Sequence, residues 1–364
     1  MSKKKKIWIS VLSVFLCFVC AVSLNLYFTF LHHYKGTYIE NPWSETDAFS
    51  LENTVTINKS PDKDFVILNL ADVQMCDLEN LFNMNIIHDE ITYLVNTVKP
   101  DLITLTGDQT WSNENLICLK SLIKWLDGYK IPYAPIFGNH DYGNEKNSAV
   151  ASLNYCCDLY EHGKYSLFKR GPSNLGTLGN YVINIMENDK IFKTLYMMDY
   201  GYENKLTEQQ LAWFSWNAEG IKSLNNGEYS DGMCFMHKPL PEYQLAYENY
   251  LVDESVAIGP VYRTYYIASK TPQPFFETAK NCGVADFVCG HQHGNSFTIN
   301  YQNTRLTFAL KTGELGGYFC GQYGDEFVNL NGATYFTLGA TTQIQTIHVE
   351  PNQFHFNNSE NAAE

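Results

Sequence analysis

Five short apolar runs in this chain each stop at a polar side chain of the kind that binds ligands, and that repetition limits the folds open to it. Phe65-Val66-Ile67-Leu68-Asn69-Leu70-Ala71 stops at Asp72-Val73-Gln74, and Leu102-Ile103-Thr104-Leu105-Thr106 stops at Gly107-Asp108-Gln109. Ile131 to Phe137 closes on Gly138-Asn139-His140-Asp141. Met233-Cys234-Phe235-Met236 runs into His237, and Ala285 to Cys289 into Gly290-His291-Gln292-His293. Runs of this length read as buried strands. Helical patterns separate the first three: Asn80 to Val98 carries Ile86, Ile87, Ile91, Leu94 and Val95 on one side, and Leu116 to Leu126 is a second helix. This β-α-β-α-β order predicts a mostly parallel sheet covered by helices. Ligand crevices in such folds open at the C-terminal ends of the strands.

The second half is richer in strands. Tyr181 to Met186 and Phe192 to Met198 flank the polar turn Glu187-Asn188-Asp189-Lys190 and read as a hairpin. Thr207-Glu208-Gln209-Gln210 is a capping box that starts a helix. Further helices are expected near Glu242 to Tyr250 and Phe275 to Asn281, and short strands at Thr304 to Leu310, Tyr335 to Leu338 and Ile344 to Val349. No repeat or linker divides the chain, so residues 61–350 are expected to form one domain, with residues 32–60 as a polar stalk and 351–364 as a polar tail.

Residues 1–31 are a targeting element. Lys3, Lys4, Lys5 and Lys6 precede an uncharged run from Ile7 to Leu31. At about 25 residues it exceeds the roughly 20 needed to cross a bilayer. A cleaved signal peptide has a shorter apolar region, although Ala21 and Ser23 would offer a peptidase a small-x-small pair. The reading is a membrane anchor with an exported domain, since lysines stay on the cytosolic side; cleavage would make the protein secreted. Net charge is −14, and because the first 31 residues hold four lysines and no acid, the remainder carries −18. That field argues against nucleic acid as a partner, while a small phosphorylated substrate can bind where local cations override it. No protein partner is implied. Of ten cysteines, Cys17 and Cys20 lie in the apolar run, and Cys234 and Cys289 lie in strands, where a buried thiol is the simpler reading. Outside the apolar run there is no CxxC pair, so a thiolate zinc site is not expected.

Taken singly, each polar strand end has an ordinary explanation, since Asp and Asn cap helices and a lone His is commonly a satisfied core residue. Five in succession deliver Asp72, Gln74, Asp108, Asn139, His140, His237, His291 and His293 to one edge of a sheet. Carboxylates with imidazoles suit Zn, Mn or Fe. Eight donors are too many for one ion, whereas two ions about 3.5–4 Å apart would share a carboxylate, hold a hydroxide between them and stabilise an in-line displacement at phosphorus.

The order D-x-(H/Q), GD, GNH(D/E), H, GHxH resembles the signature of the calcineurin-like metallophosphoesterases, over roughly residues 63–349. His237-Lys238-Pro239-Leu240-Pro241-Glu242-Tyr243 looks like the HxPLPEY segment of that family's purple-acid-phosphatase-like branch. The resemblance implies an α/β fold: a two-sheet β sandwich flanked by helices, in four αββα layers. It implies that Asp72, Gln74, Asp108 and His293 hold one ion, and that Asp108, Asn139, His237 and His291 hold the second. By the same resemblance, His140 is the general acid at the leaving oxygen and Asp141 orients its imidazole.

Two departures qualify the match. Gln74 stands where the first motif usually ends in His, and a neutral amide oxygen favours Mn or Fe over Zn. Trp111 stands where purple acid phosphatases carry a ligating Tyr, so no tyrosinate-to-iron colour is expected. Tyr142, Asn144, Lys238 and Arg263 are the candidate substrate contacts; His88 and His162 are read as bystanders. The reading is a phosphomonoesterase that uses a metal-bridged hydroxide. A phosphodiesterase acting on phospholipid head groups or nucleotides is the first alternative, and a metal-binding module without turnover the second.

Overall fold

Strand pairing divides most of the β-structure into two large sheets. The computed structural model describes residues 2–30, 32–75, 84–110, 115–142, 151–201, 205–263, 273–313, 320–323, 326–350 and 353–354. After the N-terminal helix α1 (Lys3–Phe30) come β1 (Val55–Asn58), β2 (Phe65–Leu70), α2 (Met84–Val98), β3 (Leu102–Thr106), α3 (Asn115–Tyr129) and β4 (Tyr133–Ile136). Next are α4 (Leu153–Glu161), β5 (Tyr181–Glu187), β6 (Lys190–Met197), α5 (Glu208–Leu224), β7 (Gly232–Phe235), α6 (Glu242–Tyr250) and α7 (Pro274–Asn281). The chain continues through β8 (Val284–Cys289), β9 (Phe297–Tyr301), β10 (Thr304–Phe308), β11 (Cys320–Tyr323), β12 (Glu326–Asn329), β13 (Asn331–Leu338) and β14 (Thr342–Val349).

One sheet has the order β14-β13-β2-β3-β4, with β2, β3 and β4 parallel as the first half of the sequence predicts. The other has the order β1-β5-β6-β7-β8-β10-β9. Period-two alternation decides what each strand of the second sheet touches. Leu195 and Met197 of β6, and Met233 and Phe235 of β7, join a core with Ile67, Phe336 and Leu338 of the first sheet. Tyr196, Met198, Cys234 and Met236 turn the other way, onto Trp213 and Phe214 of α5, Tyr243 of α6 and Phe276 of α7. The rings of Phe235 and Phe336 meet across the sandwich, 6.1 Å apart. On the far side, Ile87, Ile91 and Leu94 of α2 and Leu119, Leu122 and Leu126 of α3 cover the first sheet. The result is two sheets flanked by helices. Emptying a position such as Phe235 would cost about 3–5 kcal/mol, transfer and cavity terms together.

Local chemistry accounts for several element ends. Asn188 and Asp189 both have positive φ, 51° and 60°, which is the type I′ turn that suits the twist of the β5–β6 hairpin. Thr207 and Gln210 form the expected reciprocal cap of α5.

Residues 32–60 need correction as a stalk, because much of the segment is folded onto the domain. Val55 of β1 pairs with Ile183 of β5 in parallel register. Asn41 and Trp43 exchange hydrogen bonds with Ser173 and Asn174, and the rings of Trp43 and Phe49 lie 5.8 and 5.1 Å from Trp216. Trp43, Phe49, Val55 and Ile57 are spaced too irregularly to show a period, but each buries apolar surface. In the expected C-terminal tail, Phe354 packs on Tyr93, with ring centroids 5.8 Å apart.

Helix α1 is long and apolar enough over Lys3–Phe28 to cross a membrane. Cys157, Cys234, Cys282 and Cys289 are buried free thiols, and Cys118 and Cys156 are buried as well. Cys76 and Trp111 lie outside the described residues.

Candidate metal centre

Backbone strain marks the place where the strand ends converge. Asp72 (φ 51°), Gln74 (φ 50°), Asp108 (φ 50°) and His291 (φ 73°) all occupy the left-handed region, at roughly 1–3 kcal/mol each. Neighbouring turns hold them there. The amides of Gln74 and Met75 donate to the carbonyls of Asp108 and Gln109, both at 2.9 Å, which lays the loops after β2 and β3 side by side. The His291 amide donates to both Asp72 oxygens (3.0 and 2.9 Å), and the His140 amide donates to Asp108 Oδ1 (2.8 Å). Glycine is needed where these carboxylates approach a turn. A Cβ on Gly138 would lie 2.1 Å from Asp108 Oδ1, and one on Gly290 would lie 2.4 Å from Asp72 Oδ2.

The side chains then fall into two groups. Asp108, His237 and His291 present ligand atoms within 4.8 Å of one another, and so do Asp72, Asp108 and His293. Asp108 belongs to both. His237 Nε2 lies 3.4 Å from Asp108 Oδ1, 3.0 Å from Asn139 Oδ1 and 3.2 Å from His291 Nδ1. Its Nδ1 is fixed 2.9 Å from the Thr106 carbonyl. On the other side, His293 Nε2 is 3.4 Å from Asp72 Oδ1 and 3.1 Å from Gln74 Nε2. Asp72, Gln74, Asp108 and His237 are at most 1% exposed.

Electrostatics at this point call for positive charge. Burial works against ionising Asp108, yet the His237 and His140 imidazoles outweigh it and hold the carboxyl well below its usual range. Burial likewise opposes a proton on His237, but Asp108 and Asp72 overcome it and push the imidazole up to about 9. Burial, followed by the charge of His237, drives His291 down to about 4.

A family model described as calcineurin-like phosphoesterase matches residues 65–295, more than half of the chain. The chain belongs to the calcineurin-like phosphoesterase family. Among solved structures, a dimetal phosphatase of Danio rerio is similar at 12% identity and a TM-score of 0.47, covering 78% of this chain and 96% of its own. GAP50, described as the anchor in the inner membrane complex of Plasmodium, is similar at 12% identity and a TM-score of 0.49, covering 80% and 86%. A search of curated proteins gave no match.

Calcineurin-like phosphoesterases imply divalent metal ions, and the residues present fit them. Gln74 Oε1 is buried without a hydrogen-bond partner among the described residues. An orphaned acceptor of this kind costs about 1–3 kcal/mol, and a cation beside His293 and Asp72 would supply the missing contact. A cation between Asp72 and Asp108 would likewise take over the charge that the His237 proton carries.

Around the donors, sequence expectation and structure diverge. Asp141 does not stand behind the His140 imidazole; its carboxylate braces the turn. Oδ2 accepts the amides of Gly138 (2.8 Å) and Gln109 (3.3 Å), while Oδ1 accepts the amide and hydroxyl of Thr110 (3.0 and 3.2 Å). The Tyr142 hydroxyl donates to Asp199. Asp199 escaped the sequence reading: it is a carboxylate just past the end of β6, but no glycine precedes it as one precedes Asp108. It is buried, its carboxyl is pushed up to about 7 by that burial, and the charges of His237 and Lys238 act on it. Lys238 is buried beside Asp108 and Asp199, and burial lowers its pKa. Arg263 packs on α6, 3.8 Å from the Tyr247 ring and 2.7 Å from Gln244 Oε1. Asn144 lies outside the described residues. The His88 ring lies 4.9 Å from Trp125 in a tilted arrangement, and His162 Nδ1 is 2.6 Å from the Asp158 carbonyl. A cavity of about 510 Å³ between residues 39–53 and α5 contains none of the donors, so shape alone would have pointed away from the chemistry.

Proposed function

We propose that the protein is a dinuclear metal-dependent phosphomonoesterase, anchored in a membrane by α1 with its catalytic domain exported. The observation that carries this reading is the pair of buried donor groups sharing Asp108. In it, Asp72, Gln74, Asp108 and His293 hold one ion, and Asp108, Asn139, His237 and His291 hold the other. When bound, the ions supply Lewis-acid charge at the phosphoester and an activated water nucleophile.

The chain's own groups do the rest. Asp108, pinned by the His140 amide, keeps the two sites in register. His140 reaches out of the turn with its Nε2 3.8 Å from Asp108 Oδ2 and its side chain 31% exposed, so it can meet a substrate and protonate the departing alkoxide. Asp141 holds the turn that aims His140. Gln74, as a neutral oxygen donor, favours Mn or Fe. Burial of Lys238 near Asp108 and Asp199 supports it as a substrate contact. The catalytic unit is residues 61–350 together with the packed part of residues 32–60. Monoester preference rests on the HxPLPEY-like segment at His237 to Tyr243.

The full chain loaded with Mn should hydrolyse p-nitrophenyl phosphate faster than its bis-ester. The reverse order would move the assignment to a phosphodiesterase. Metal content near two per chain with neither ester cleaved would favour the module that binds metal without turnover.

A further inference from the structure

We propose that the face formed by α3, α4 and residues 32–37 lies flat against the membrane that holds α1 and binds its anionic lipid surface; this rests on the reading of α1 as a retained anchor. The end of α1 does not lead into a free tether. The Tyr34 hydroxyl donates to the Phe28 carbonyl (2.9 Å), and the His32 ring packs against Phe28 and Tyr34 at 5.3 and 4.7 Å. Tyr34 then docks on α4, with its ring 5.0 Å from Tyr155 and its carbonyl accepting the Ser152 amide at 2.8 Å. Rings gathered at the end of an apolar helix are what a membrane–water interface favours. Here those rings continue without a break into the domain.

Charge on this face runs against the rest of the molecule. Lys120 Nζ sits 5.8 Å from both the Tyr34 and Tyr155 rings, at the junction itself. Lys124 is one helical turn further along α3, and Lys35 adjoins Tyr34; all three are exposed. None has an ion pair among the described residues. The acids of the same face are turned to internal partners. Asp127 accepts the amides of Lys164 and Tyr165 at 3.1 and 3.0 Å, and the Arg170 guanidinium takes Asp158 and Glu161 at 2.6 and 2.7 Å. A chain carrying −18 beyond its first 31 residues therefore presents unpaired lysines beside the bilayer. Long lysine stems can lie along the aromatic junction while their ammonium groups reach lipid phosphates.

The test uses the full chain in nanodiscs of phosphatidylcholine, with and without phosphatidylglycerol, and in detergent. Lysines are acetylated with a water-soluble reagent and read residue by residue by mass spectrometry. Lys35, Lys120 and Lys124 should label about fivefold less in the anionic discs than in detergent, the effect of one lysine held at a charged surface. Lys63 and Lys190 should not change. The double variant Lys120→Glu, Lys124→Glu should abolish protection of Lys35 while hydrolysis of p-nitrophenyl phosphate stays unchanged. Equal labelling of Lys120 and Lys124 in anionic discs and detergent overturns the proposal while α1 stays intact. Intact mass of chain extracted from membranes checks the anchor separately: loss of residues 1–31 overturns the anchor reading and this proposal with it.

Discussion

Strand β8 carries a buried charge cluster at each end, and the two are built on opposite principles. At its start, Asp286 is 0% exposed and meets Arg305 in two hydrogen bonds of 2.5 and 2.7 Å, with the Lys193 ammonium 3.8 Å away and itself held by Asp231 at 2.6 Å. Every charge there has its counter-charge in the chain. At its far end, beyond Cys289, the backbone enters a left-handed residue, His291, and faces Asp72 and Asp108. Imidazoles, amides and the buried Lys238 surround those carboxylates, and Gln74 Oε1 has no hydrogen-bond partner among the described residues. A closed cluster fixes a fold, whereas an open one spends stability to keep a place for cations.

Breaking the open cluster should give the largest effect. Asp108→Ala removes the donor common to both groups, so metal analysis should find both ions lost and ester hydrolysis down by more than about 10³-fold. Circular dichroism should show the fold retained, because no closed pair is broken. Retention of two ions by this variant would sink the shared role of Asp108.

His140→Ala tests the rim of the same cluster. Turnover should fall by about 10²–10⁴-fold, the range for a general acid, with metal content unchanged. Rate loss should be smaller for an ester whose leaving group needs no proton, and an equal loss for good and poor leaving groups would remove the acid role.

The closed cluster should respond in the opposite currency. Asp286→Ala leaves Lys193 and Arg305 facing one another without their shared partner, at a cost of about 3–5 kcal/mol in denaturant unfolding. Activity per folded molecule should be unchanged. If activity fell while stability held, the two ends of β8 would not be separable.

The smallest expected effect is a pH dependence at Asp199. Burial raises its carboxyl to about 7 from an unfolded value near 3.8. The folded state therefore holds a proton that the unfolded state releases, and stability from this group is intact below about pH 4 and lost as pH rises through about 7. Asp199→Asn keeps a neutral partner for Tyr142, so its melting temperature should exceed that of the wild type by a few degrees at pH 8, with the gap closing at pH 4.5. A gap independent of pH would mean that Asp199 stays ionised in the fold.

Much of this was legible in the sequence because it is local. Apolar runs such as Leu102 to Thr106, the cap at Thr207 and the Asn188-Asp189 turn depend on residues a few positions apart. What escaped lacked a local period or motif. The packed segment around Trp43 and Phe49 has no regular spacing, and Asp199 follows its strand without the glycine that flagged Asp108. Asp141 shows the other limit. Adjacency to His140 suggested that it oriented the imidazole, but the strained loop after β3 offered amides closer at hand.

By itself the sequence determined most of the strand–helix order, the family and the candidate donors, since each is written in short-range patterns of burial and turn chemistry. Only the tertiary structure decided how the donors associate. Asp72 takes the amide of His291 from 219 residues away, and the sharing of Asp108 between two groups exists only once both sheets have packed. The same holds for the residues that follow α1. Nothing in their composition says that they bind the domain, because the rings that receive them are supplied by α4 and α5, more than a hundred residues further along the chain.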